Sequence, residues 1–183
     1  MKAILKLTLA VLLATVPVLA SAQTSKLPQR NEIVSVETEV AGFSDSVEVF
    51  DAPKDGEHHY YLCVGHLGIG NDTVQILFDP AHELFIPLGD NISDALESLK
   101  ELQALFKEPK GSSIEKDGCL AFGFPREEKM ETVKISYQTG LLTKILKFTV
   151  EREDYQRSTY LAKSDLGSLV SGVKIHKALH PKE

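Results

Sequence analysis

Cys63 and Cys119 are the only cysteines in the 183 residues, and by type they are the side chains best suited to chemistry. A nucleophilic thiol needs a base held beside it and a lowered pKa. His66 stands three residues from Cys63, which on a strand turns it to the opposite face. The stronger reading is a structural disulfide joining Cys63 to Cys119. It closes a loop of about 57 residues and stabilises the fold by about 4 kcal/mol on the chain-entropy account. The alternative is a pair of buried thiols.

Six histidines raise the question of a metal. His58, His59 and His66 lie along or just before one strand, while Asp79, His82 and Glu83 cluster in a loop. His176 and His180 fall four apart on a helix, a spacing that can put two imidazoles on one side of an ion. That pair lacks the acid between its histidines that a zinc-protease helix carries, and Pro181 follows at once. The plainer reading is solvated imidazoles at a helix C-terminus.

Gly65 to Gly70 has the wrong glycine order for a dinucleotide loop and leads into a strand, so it reads as a hairpin turn. Glu127, Glu128, Glu151 and Glu153 sit in charged turns that imply no apolar pocket to raise a carboxyl pKa. Tyr60, Tyr61, Tyr155 and Tyr160 can stack on a ring, but they more often serve as half-buried strand residues. Asn71 and Asn91 head glycosylation sequons and double as a turn and a helix cap, the latter being the favoured reading. No catalytic set, metal or cofactor is assigned.

The elements that must position these residues begin with one that is expected to be removed. Lys2 and Lys6 flank the start of an apolar run from Leu7 to about Leu19, and Ala20-Ser21-Ala22 follows as a small-x-small site. Residues 1–22 therefore read as a signal peptide cleaved after Ala22, with export to a periplasm or the extracellular medium. Cleavage takes away two lysines and no acid, so the net charge of −6 becomes −8. An acidic chain without a basic run is a poor nucleic-acid ligand. No later apolar stretch is long enough to span a bilayer. Residues 23–31 are expected to form a flexible leader, and residues 32–183 a single domain.

Within that domain a period of two marks strands at Glu32–Val40, Ser46–Phe50, His59–Leu67, Thr73–Phe78, Glu83–Leu88, Cys119–Phe124, Val133–Tyr137, Ile145–Glu151 and Ser158–Ala162. In the third, both alternating sets, Tyr61 with Cys63 and Tyr60 with Leu62, are apolar, which fits a central strand covered on both sides. The cluster Asp51–Gly56 is a turn and the best candidate boundary between an N-terminal hairpin and the rest. Ile92, Ala95, Leu96, Leu99, Leu102 and Phe106 stripe one face of a helix stopped by Pro109 and Gly111. A second helix begins near Ser164 and contains Gly167 and Gly172, which either permit close approach to a sheet or weaken it.

The expected class is α+β: a mainly antiparallel sheet with two amphipathic helices packed on one face. The runs after Cys63 and Cys119 resemble each other, so an internal β-β-α duplication is compatible with the sequence, with the two cysteine strands as neighbours. The functional expectation is an exported soluble domain of non-enzymatic binding or interaction type, its partner a protein or small molecule. The alternatives are a hydrolase with a non-motif active site and a structural component of the cell envelope.

Overall fold

A computed structural model describes residues 28–40, 43–66, 83–140, 143–152 and 155–181. The expected signal peptide, the strand at 73–78, the Asn71 sequon and His82 lie outside them. Among the described residues, eight strands form one antiparallel sheet in which each pairs with its neighbours in sequence: β1 (Asn31–Val40), β2 (Phe43–Asp51), β3 (Tyr60–His66), β4 (Glu83–Gly89), β5 (Ser113–Ala121), β6 (Glu131–Thr139), β7 (Lys144–Arg152) and β8 (Tyr155–Ala162). Helix α1 (Ile92–Ala104) follows β4, and helix α2 (Lys163–Leu179) follows β8. The chain is thus α+β. No helix among the described residues is long and apolar enough to cross a membrane.

The sheet bends within β5. Its first part, Ser113–Gly118, pairs with β6, while only Cys119–Ala121 pairs with β4. Gly118 sits at that change of partner. A methyl group there would meet Val133 at 2.7 Å and Ile86 at 2.8 Å, so only a residue without Cβ lets the strands cross so closely. The bend brings β8 near β1 and β3. One large cluster gathers the apolar residues of both parts of the sheet, among them Leu62, Ile86, Ile135 and Phe148, together with Leu99 and Leu102 of α1 and Leu166 and Leu169 of α2.

Local chemistry explains the helices unequally. Asn91 caps α1: its Oδ1 accepts from the amides of Ser93 at 3.0 Å and Asp94 at 2.9 Å, satisfying two of the free donors of the first turn. Ser98 also donates to the carbonyl of Leu88 at 2.9 Å. Helix α2 has Ala162 at its N-cap and no side-chain cap, so it depends on packing. Its two glycines have different meanings. A Cβ on Gly172 would lie 2.5 Å from a methyl of Val34 in β1, whereas Gly167 faces open space. Close approach accounts for the first and not for the second.

The Asp51–Gly56 turn joins β2 to β3, which pair through Val47–Asp51, so the sheet runs on across it. One expectation is corrected. The strand expected to reach Phe124 ends at Ala121. Gly123 at φ +74° turns the chain back, with the Phe124 amide donating to the Phe122 carbonyl at 2.9 Å, and Phe122 is left at the tip with 73% of its surface exposed.

Candidate functional site

Strand β3 carries apolar residues on both sides, as its sequence implied. Tyr60, Leu62 and Val64 enter the large cluster, while Tyr61 and Cys63 join Phe50, Phe85, Cys119 and Ala121 in a second, smaller one. Pairing sets these side chains in rows. Glu48 lies opposite Cys63, Cys63 opposite Phe85, and Phe85 opposite Cys119, so four residues span β2 to β5 at one level.

That register rules on the disulfide. The two cysteine strands are separated by β4, with Phe85 between the thiols. Two strand spacings put their Cα atoms about 9–10 Å apart, beyond the roughly 7 Å that a bridge tolerates. Both cysteines are free and buried. The expectation of a Cys63–Cys119 bond is therefore corrected, and so is that of adjacent cysteine strands. Neither thiol is set up as a nucleophile. Burial, and then the nearby Glu83 carboxylate, push the Cys63 pKa far up; burial also raises that of Cys119. Cys63 donates to Glu83 Oε1 at 3.6 Å, and Cys119 Sγ accepts the Arg126 amide at 3.2 Å.

Over this second cluster lies Arg30. Its guanidinium pairs with Glu48, reaches Glu83 Oε1 at 3.4 Å, donates to the Gly123 carbonyl at 3.0 Å, and stacks 4.4 Å from the Phe50 ring centre and 5.6 Å from that of Phe85. Glu83 is the shared anchor, because its other oxygen accepts the Gly123 amide at 2.8 Å. It thereby ties the segment before β1 to the turn after β5.

Beside Arg30 the same face opens into a groove of about 850 Å³. Tyr61 and His59 line it, Pro28 and Gln29 border it, and Ala52–Gly56 and Phe124–Glu128 are its walls. The first wall is the tip of the β2–β3 hairpin. Lys54 and Glu57 exchange amide–carbonyl hydrogen bonds at 2.9 Å, with Asp55 at φ +55° and Gly56 at φ +89° between them. Positive φ at both central residues is the mark of a type I′ turn, for which Asp-Gly is a preferred pair. Buried Asp51 braces its base, accepting the His59 amide at 3.1 Å and lying 2.9 Å from His58 Nδ1. The second wall is pinned by Glu83 and Cys119 through the contacts above. Lys54 Nζ and Glu127 Oε2, at 2.8 Å, link the walls; their hydrogen bond and opposite charges raise the lysine pKa and lower the glutamate pKa.

Most of the other residues singled out in the sequence are dispersed. His59 pairs with Asp90 at 2.8 Å, and the His176 and His180 rings stack 4.4 Å apart at the end of α2. Among the described residues no three His, Cys, Asp or Glu side chains come together in a way that could hold a metal ion. Tyr60 is turned into the large core. Of the tyrosines weighed as a platform, Tyr61 is the one among the described side chains that lines the groove. Sequence reasoning passed over Arg30, and it weighed Glu83 only as part of a loop cluster with Asp79 and His82, never as the partner of a guanidinium. An arginine in a polar leader and a glutamate at a strand start carry no signal of their own until β2, β3 and β4 are laid side by side. No family model matches the chain, and no curated protein or solved structure matches it either.

Proposed function

We propose that the protein is an exported, non-enzymatic binding domain whose ligand lies in the groove over Tyr61. The observation that carries this reading is the groove itself: a concave site of ligand size, within the roughly 300–1,000 Å³ typical of such sites, whose walls are held before any ligand arrives. The type I′ turn, the Asp51 brace, the Glu83 anchor and the Lys54–Glu127 pair all act on its walls. Preorganised walls lower the ordering cost of binding. The neighbouring thiols are protonated and buried, which favours binding over nucleophilic chemistry. Export rests on the basic, apolar and small-residue segments of residues 1–22.

Within this reading both helices lie on one face of the sheet, leaving the groove face uncovered by helix. Their shared core and their mutual contact support it.

The test is an amide-shift titration of mature protein against a mixed library of small acids, sugars and short peptides. Binding in the groove requires shifts concentrated at Gly56, Tyr61 and Phe124–Glu128. Shifts confined to the helices sink the assignment. Export is checked by sequencing the N-terminus of protein recovered from the producing cell, which should begin at Gln23. Methyl contacts between α1 and α2, with none from either helix to Phe85, test the placement of the helices.

A further inference from the structure

We infer that the groove takes an extended peptide segment bearing an arginine, whose guanidinium lies between the acidic groups of the two walls. This rests on the groove being the ligand site and specifies the ligand's chemistry.

Three observations converge on it. The same sheet face already holds a guanidinium. Arg30 is gripped by two carboxylates and a carbonyl and stacked on two rings, a set of contacts that uses the charge, the planar fork and the flat face of the group together. Next, the buried rings under Arg30 reach the base of the groove at Tyr61, of which 6% is exposed. The Phe50 and Tyr61 rings stack with centroids 5.7 Å apart and planes 23° apart, and Tyr61 lines the groove. Pro28 and Gln29, which lead into Arg30, already border the groove, so the cleft accommodates extended main chain along its edge.

Charge supplies the third observation. The walls carry Asp55, Glu127 and Glu128 against Lys54 and Arg126. Lys54 is matched by Glu127 at 2.8 Å, so Asp55 on one wall and Glu128 on the other outnumber the remaining Arg126. A chain of net charge −6 adds a field of the same sign. At about 850 Å³ the groove is too large for one side chain and suits several residues of main chain around it.

The experiment titrates the mature protein with the capped tetrapeptide Pro-Gln-Arg-Asn, with the same peptide carrying citrulline or lysine in place of arginine, and with arginine amide alone. The arginine peptide should shift the Gly56, Tyr61 and Glu128 amides and bind roughly tenfold tighter than the uncharged citrulline peptide, with the lysine peptide between them. D55N with E128Q should weaken it about fivefold without moving the thermal midpoint. Both positions are exposed, and asparagine tolerates the positive φ of position 55. Equal binding of the arginine and citrulline peptides, or indifference to the double substitution, overturns the inference. Arginine amide binding as tightly as the peptide overturns the polypeptide source. A library compound that occupies the groove while every arginine probe fails removes the arginine and keeps the groove; a groove that answers to nothing removes both.

Discussion

The two faces of the sheet are built on different terms. The face that shares its cluster with α1 and α2 is almost purely apolar: Leu62, Ile86, Leu99, Ile135, Phe148 and Leu166 are all at most 1% exposed. The opposite face over β2–β5 has six buried residues, three of them aromatic and two of them thiols, and its roof is a charged side chain. A face packed only with apolar side chains excludes water and leaves nothing to recognise. A roof made of Arg30, held by carboxylates from β2 and β4, leaves an edge where polar walls meet solvent above buried rings. The first face is packed for stability, and the second holds the groove proposed above as a ligand site.

That division can be broken by mutation. The largest effect is expected at Leu99, wholly buried in the helix-covered core: Leu99→Ala should cost about 2–5 kcal/mol in urea unfolding. Glu101→Ala on the same helix removes only the exposed pair with Lys116 and should cost less than about 1 kcal/mol. Equal midpoints would mean that α1 is not roofing a core.

Next comes the roof of the other face. Arg30→Ala leaves Glu48 and Glu83 without their cation in a site where all three side chains are less than a quarter exposed. A loss of about 1–3 kcal/mol is expected, with quenched amide exchange showing that protection falls in β2–β4 before it falls in α2. Arg30→Lys should recover little, since an ammonium cannot bridge two carboxylates and lie flat on two rings. Loss of protection everywhere at once would erase the distinction between the faces.

The glycines of α2 divide by sign. Gly172→Ala drives a methyl into Val34 and should destabilise by about 1–3 kcal/mol. Gly167→Ala meets nothing and should stabilise by about 0.5–1 kcal/mol. Thermal midpoints moving in the same direction would refute the close contact of α2 with β1.

The smallest effect sharpens the view of the thiols. Cys63 and Cys119 are raised above their ordinary value of 9.0, chiefly by burial. In the unfolded chain they ionise as pH passes that value, while in the folded chain ionisation is held back to higher pH, most strongly at Cys63. The contribution is complete below about pH 9 and is lost as pH rises toward the folded pKa, by about 1 kcal/mol per thiol per pH unit. Urea midpoints measured from about pH 8 to about pH 10 should fall less steeply for Cys63→Ala than for the unaltered protein. Thiol reagents should find both cysteines only after denaturation.

What the sequence determined by itself is local and periodic. The alternation on Tyr60–Val64 announced a strand covered on both sides, and the stripe from Ile92 to Phe106 announced α1 with Asn91 able to cap it. Both follow from geometry within a single element, where spacing alone decides which side chains share a face. Partners were decided elsewhere. Cys63 and Cys119 looked equivalent because each opens an apolar run, yet β4 lies between them, and pairing between strands depends on how the whole sheet is wound. The Asp51–Gly56 turn was legible as a turn, but not as one wall of a groove whose other wall begins some seventy residues later. Arg30, Glu48 and Glu83 are three unremarkable charges in the chain. Only the antiparallel registers of β2, β3 and β4 bring two acids to one sheet face where a single guanidinium can join them, because in a sheet the neighbour across the ladder is set by register and not by distance along the sequence.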